Sequence, residues 1–303
     1  MKLSISTGTL EKRFGTEETF RLMKAAGFDY ADYGLDTWHP DRASVLASES
    51  YQRTVEETVA HYREVRALAE KHGITVYQTH AIFGEFPACD CEEYYEATVK
   101  NIIATHTLGC RYSVIHPIRT PGRMFDENYD SCHEYNLALF RRIQGALETY
   151  GVEVGIEPMW LDDEHKVIHS SVCSRPEEIL QFIDELGSAN FCACPDFGHV
   201  ALTGKETGDT VGGFLRKLGS TVKMVHIHEV GGVRDNHTAP YTYRNAMDWE
   251  DIIAAMREIG YRGTVNFEVG AQYYDLYSDA MIPEALRHLA AIGKDMLEQI
   301  GQN

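Results

Sequence analysis

Apolar and polar residues alternate along this 303-residue chain with two different periods, and the two periods take turns. Eight short runs carry the two-residue period of a strand with one buried face. They are residues 2–7 (KLSIST), 28–35 (FDYADYGL), 74–81 (ITVYQTHA), 112–117 (YSVIHP), 152–158 (VEVGIEP), 191–198 (FCACPDFG), 222–229 (VKMVHIHE) and 264–269 (TVNFEV). Between them apolar residues recur at helical spacing, as at Val55, Val59, Tyr62, Val65, Leu68 and Ala69, with Gly73 as the stop. A helix through Phe20, Met23 and Lys24 is expected to end at Gly27, and another to begin with Ser174 as N-cap and Pro176 in its first turn. A further helix is expected from Asp248 to near Gly260. No Pro/Ser-rich linker or break in composition divides the chain. The repeated strand–helix alternation predicts an α/β protein, one (β/α)8 TIM barrel over residues 1–303. The competing architecture is an open doubly wound sheet, but no glycine-rich dinucleotide fingerprint follows the first run.

In a (β/α)8 barrel alternate strand residues point inward and the reactive site forms at the C-terminal strand ends. The apolar phase of VEVGIEP (Val152, Val154, Ile156) suits the helix-facing side, so the inward phase ends on Glu157. By the same reading TVNFEV ends on Glu268, the Cys192/Cys194 phase on Asp196, and the Met224/His226 phase on His228. His80 and His116 end the third and fourth runs. Successive members lie 36, 41, 39, 32 and 40 residues apart, about one βα unit each. A lone inward histidine is ordinarily a hydrogen-bonded core residue. Several carboxylates and imidazoles gathered in one mouth, however, would repel or pay heavily for desolvation without a cation. Glu157, Asp196, His228 and Glu268 form an oxygen-rich set with one imidazole, which suits Mn2+, Mg2+ or Co2+ better than a thiolate metal. Of the two histidines in VHIHE, His228 is nearer the strand end and is the expected ligand, with His226 behind it.

Charge and cysteine content narrow the partners. A net charge of −18 repels phosphate backbones, which makes nucleic acid an unfavoured partner. No apolar run reaches membrane-span length, and MKLSISTGTLEKRFG lacks a signal-peptide core, so a cytoplasmic location is expected. Seven cysteines make an odd count, and the pairs Cys89/Cys91 and Cys192/Cys194 lack the partner spacing of a structural zinc site. Reduced, structural cysteines are expected.

The ordered set GIEP, CPDFGH, VHIHE and NFEVG resembles the xylose isomerase-like TIM-barrel superfamily, through nearly the whole chain. That superfamily includes sugar (and sugar phosphate) isomerases and epimerases and the endonuclease IV enzymes. Its ketose 3-epimerases hold one divalent metal on two glutamates, an aspartate and a histidine. This implies Glu157, Asp196, His228 and Glu268 as ligands, with Mn2+ first and Mg2+, Co2+ and Zn2+ as alternatives. The resemblance further implies that Glu157 and Glu268 act as acid and base on opposite faces of the sugar, through a metal-stabilised enediolate. It implies that His199 and Arg234 touch substrate hydroxyls. His80, His116 and His237 are candidate substrate donors, and Trp160 and Phe83 candidate walls for a sugar ring. One departure is Asp163, where those epimerases carry a substrate-binding glutamate.

Endonuclease IV has a trinuclear zinc site, and its ligand types also find counterparts. His80, His116, His199, Asp235 and His237 are therefore candidate additional metal ligands. The expected function is a metal-dependent sugar isomerase or epimerase with a small carbohydrate substrate, assembled as a dimer or tetramer. Alternatives are a carbohydrate lyase (inosose dehydratase or C-glycoside deglycosidase subunit), an endonuclease IV-like phosphodiesterase, and a non-catalytic sugar-binding barrel.

Overall fold

The computed structural model describes residues 2–119, 129–244 and 246–301. Seven parallel strands form one curled sheet in the order Phe191–Ala193, Glu153–Ile156, Tyr112–Val114, Thr75–His80, Tyr30–Gly34, Lys2–Ser6 and Thr264–Phe267. The two outer strands are joined by segment 222–229. It makes the parallel bridges Ala193↔Val222 and Asp196↔His226 on one side and Ile227↔Phe267 on the other. Backbone bonds such as Phe197 N→His226 O (3.0 Å) and Ile227 N→Asn266 O (2.9 Å) complete the closure. The expected strand at 222–229 therefore occupies its barrel position as isolated bridges and not as a continuous ladder. Pro195 gives the physical reason: it lies opposite this segment and has no N–H to donate.

The expected phases hold. Val152, Val154 and Ile156 belong to the large apolar cluster between sheet and helices, which runs from Leu3 to Ile300. Val114, Cys192, Cys194 and Met224 form a separate small cluster inside the barrel. The helix Thr16–Ala26 stops at Gly27, whose φ of 104° is the left-handed conformation glycine tolerates. The helix Val55–Lys71 opens with a capping box between Thr54 and Glu57, and Asp248 caps Trp249–Glu258 through the Asp251 N–H. Ser174 is not the cap of the next helix. Arg175 stands at the N-cap of Pro176–Leu186, and the Glu178 carboxylate reaches back to accept the Cys173 N–H at 2.5 Å. All seven cysteines are free. Among the described residues no helix is long and apolar enough to cross a membrane.

Two short additions decorate the mouth. Trp38–His39 pairs with Phe83–Gly84, and Trp160–Asp162 pairs antiparallel with Ile168–Ser170. Asp163 accepts the N–H groups of His165 (2.8 Å) and Val167 (2.9 Å), so it ties the turn of that hairpin.

Candidate metal centre

The strand ends deliver their side chains into one buried mouth. Glu157 and Glu268 each follow the last residue of a strand, Glu153–Ile156 and Thr264–Phe267. Asp196 is the N-cap of the helix Phe197–Thr207 and accepts the His199 N–H at 2.7 Å. That contact leaves the other carboxylate oxygen directed elsewhere. Glu157, Asp196, His226 and Glu268 each offer a donor atom within 4.8 Å of the others. His226 Nδ1 lies 3.2 Å from Glu268 Oε2, 3.4 Å from Glu157 Oε2 and 3.9 Å from Asp196 Oδ2.

Three of these atoms, Glu157 Oε2, Glu268 Oε2 and His226 Nδ1, are buried without a hydrogen-bond partner. Buried polar groups ordinarily find partners, and three orphans on one point indicate something shared by all of them. A cation about 2.0–2.2 Å from each donor would set neighbouring donors roughly 3.3–3.6 Å apart. The residues present fit a divalent metal.

The histidine in this group is His226, whereas His228 was expected. Both side chains share the inward face, but His226 is the residue bridged to Asp196 across the barrel. His228 stands one step higher, with its ring against Gly198, where a Cβ would lie 2.6 Å from His228 Nδ1. This directs His228 Nε2 to both Asp196 oxygens at 3.0 Å and toward Asp235 Oδ1 at 3.6 Å. The glycine of CPDFGH is thus required by a neighbouring ring.

Besides His80, His226 and Glu268, a group that shares two residues with the first, two further donor groups flank it. His199, His228, Asp235 and His237 form one. There Asp235 Oδ2 lies 2.9 Å from His237 Nε2 and 3.2 Å from His199 Nε2, and the His228 and His237 rings stack at 4.0 Å. His237 has a left-handed backbone (φ 43°), unusual outside glycine, and its Nδ1 meets the Glu268 carbonyl oxygen at 3.0 Å. The other group is His80, His116 and Glu157, with the two Nε2 atoms 3.0 Å apart and His116 Nε2 3.1 Å from Glu157 Oε2.

Charge is unevenly divided over the mouth. Burial pushes the Glu268 carboxyl up to about 8, although His226 and His237 pull the other way. Burial acts on Glu157 in the same sense, but His116 and His226 overcome it and hold its carboxyl well below the usual range. Burial opposes charge on His237 too, yet Asp235 and Glu268 raise it to about 10. Burial, seconded by His116, lowers His80 to about 3. Protonated imidazoles thus neutralise the carboxylates where a cation would otherwise do so, and the two glutamates are driven apart.

Other expected residues have varied placements. His199 lies 3.2 Å from Glu157 Oε1, and the Trp160 ring is 6.3 Å from the His199 ring with the Arg119 guanidinium 5.2 Å from its centre. Phe83 packs 4.9 Å from both His80 and His116. Arg234 is exposed, while Asp235 and His237 on the same loop enter the mouth. Asp32, which the sequence reading passed over, is 1% exposed and faces His226 Nε2 at 3.1 Å. It accepts hydrogen bonds from Gln78 (3.1 Å) and Asn266 (2.9 Å). The signal available was a charged residue inside the aromatic run FDYADYGL.

A family model described as a xylose isomerase-like TIM barrel matches residues 20–292. The uncharacterized protein y4fM of Sinorhizobium fredii (strain NBRC 101917 / NGR234) is 24% identical over 295 residues, covering 86% of this chain and 83% of that protein. Among solved structures, a D-tagatose 3-epimerase-like protein superposes with TM-score 0.67 at 18% identity, over 98% of this chain and 100% of the other. D-psicose 3-epimerase in the presence of D-fructose gives 0.69 at 17% identity, over 98% and 99%. The IOLI protein with a binding zinc atom gives 0.66 at 17% identity, over the full length of both. At these identities the structural likenesses establish the fold.

Proposed function

The chain belongs to the xylose isomerase-like TIM-barrel family, and from that premise we propose that it is a divalent-metal-dependent sugar isomerase or epimerase. The observation that carries this reading is the buried group Glu157, Asp196, His226 and Glu268 with its three unpartnered donor atoms. A divalent cation held there, Mn2+ first among Mg2+, Co2+ and Zn2+, would supply Lewis-acid polarisation of a sugar carbonyl.

Glu157 and Glu268 come from well-separated strands of the barrel, so a bound ketose would present a different face to each. One carboxylate takes the proton from the carbon next to the carbonyl, and the other returns one to the opposite face. Trp160 stands beside the buried His199 ring on the Asp196 side, and Phe83 and His80 line the cavity on the other side. The names of the similar structures, a D-tagatose 3-epimerase-like protein and D-psicose 3-epimerase, agree with a ketose as the substrate class.

A second reading, metal-dependent phosphodiester hydrolysis of the endonuclease IV type, is favoured by one observation: the two flanking groups would complete a multinuclear centre. One experiment separates the two. The Mn2+-loaded protein is incubated in D2O with a panel of ketoses, and in parallel with an abasic-site duplex. Deuterium at the carbon beside the carbonyl is expected, falling by about 10²–10⁴-fold in Glu268→Gln. Near-normal exchange in that variant would sink the role of Glu268, and cleavage of the duplex without exchange would move the protein to the hydrolytic class. Loss of one metal equivalent in both His80→Ala and His116→Ala would support a second ion.

A further inference from the structure

We infer that the substrate is an uncharged carbohydrate longer than one sugar ring, and that its extension lies in a cavity beside the metal group. The inference rests on the isomerase reading above only for which end of the sugar meets the two glutamates. A cavity of about 1050 Å3 opens from His80, His237 and Glu268 toward Glu11, Glu49 and His61. That is at the upper end of the roughly 300–1,000 Å3 of small-molecule sites, more than a single ring needs.

Its wall joins an aromatic surface to hydrogen-bond acceptors. Trp38 lines it with 46% of its surface exposed, next to Phe83 on the paired strand. A large indole left uncovered at a cavity offers its face to the C–H side of a sugar ring. Asp36, also in the lining, is nine-tenths buried. Its Oδ1 is taken by the Thr37 N–H (2.8 Å) and His39 Nε2 (3.1 Å), while Oδ2 has no partner. Glu11 accepts from Thr7 Oγ1 at 2.8 Å, and burial raises its carboxyl above the usual range. A sugar hydroxyl is the donor that Asp36 Oδ2 lacks.

The charges in the same lining disfavour a phosphate. Glu11, Asp36, Glu49 and Glu268 face it against Lys12, Arg53 and His237, and Arg53 is already paired with Glu49 and His237 with Asp235. Burial, then the neighbouring Arg53, lowers His61 below its ordinary value, which keeps it neutral. Among the described residues Lys12 is the one lining cation without an acidic partner. A phosphate dianion is ordinarily held by several charged or N–H donors. This wall offers too few.

The test uses the metal-loaded protein and matched triplets built on each ketose of a panel: the free sugar, its 6-phosphate and its 6-O-glucoside (D-fructose, D-fructose 6-phosphate and palatinose as the first set). Kd is read by calorimetry. For the best-binding ketose, the glucoside is expected to bind at least about tenfold more tightly than the free sugar, and the phosphate at least about tenfold more weakly. Trp38→Ala should cost the glucoside about tenfold more than the free sugar, with Trp38→Phe restoring most of the difference. A phosphate that binds more tightly than its free sugar overturns the inference, as does equal loss for sugar and glucoside in Trp38→Ala, or no binding of any glucoside. Glucoside preference without deuterium exchange keeps the inference and removes the isomerase reading, so the two failures are told apart.

Discussion

On one side of the barrel interior four neighbouring chain segments build two floors, and these differ completely in chemistry. On the lower floor Val114, Gly155, Cys194 and Met224 meet, with three of them in a fully buried apolar cluster. Two residues further along the same chain segments stand His116, Glu157, Asp196 and His226. In these four segments one step of the strand period goes from apolar packing to titratable donors. On this side the lower floor's side chains meet by apolar contact, and burial pushes the thiols of Cys192 and Cys194 up, which leaves them unreactive. On the opposite side Gln78 and Asn266, two residues below His80 and Glu268, donate to buried Asp32. The upper floor has orphaned donors and protonated imidazoles, an arrangement that a divalent cation would relieve. A site of this kind can be rigid because the floor beneath it is closely packed.

The largest expected effect tests which histidine belongs to the upper floor's centre. His226→Ala removes the Nδ1 that faces Glu157 and Glu268 and should weaken Mn2+ binding at least about 100-fold, near 2.7 kcal/mol. His228→Ala should cost less at this centre, because its Nε2 meets Asp196 from above. Metal titration of both variants checks this. A larger loss in His228→Ala would restore the ranking drawn from the sequence.

The sequence favours His228 and the geometry favours His226, and the difference has a physical cause. The two-residue period identifies which face a side chain occupies, and it placed His226 and His228 inward together. It carries no information on depth along the barrel axis. Depth is fixed by the stagger of the strands, here by the Asp196↔His226 bridge, and by the close approach of the His228 ring to Gly198. The eight strand runs, four of the helices between them and the strand-end positions of the candidate donors were legible, because each is a local pattern repeated at barrel spacing. The family resemblance implies a substrate contact for Arg234, whose side chain is exposed on a loop not held to a register as strands are. Asp32 was missed because its meaning lies in partners remote in sequence: Gln78, His226 and Asn266.

Asp32 gives the intermediate effect. A carboxylate facing Nε2 favours the tautomer with the proton on that nitrogen, which leaves the Nδ1 lone pair free for a metal. Asp32→Asn keeps the shape but removes the charge, and should weaken metal binding about 10–100-fold. Histidine NMR of the Zn2+-loaded protein should show the His226 Nε2–H signal shifted in the variant. If Asp32 only supports the interior, the metal-free protein should melt lower while metal affinity stays at the wild-type value. That outcome would remove the positioning role.

Gly155→Ala should have the smallest effect on the metal, and it probes the lower floor directly. An added Cβ would lie 2.8 Å from Cys194 Cβ and closer still to Met224 Cε. The methionine tip can swing away, but Cys194 Cβ is fixed to its backbone, so the strands must separate slightly. Overpacking of this kind costs about 1–3 kcal/mol, visible as a lower Tm in the metal-free protein. Metal affinity should change by less than about threefold if the two floors are built independently, since Glu157 follows the end of its strand and Asp196 is anchored by its helix cap. A fall in metal affinity that tracks the fall in Tm would mean the opposite. The spacing of the four donors would then be set by the packing below, and the apolar floor would belong to the metal centre as much as its ligands do.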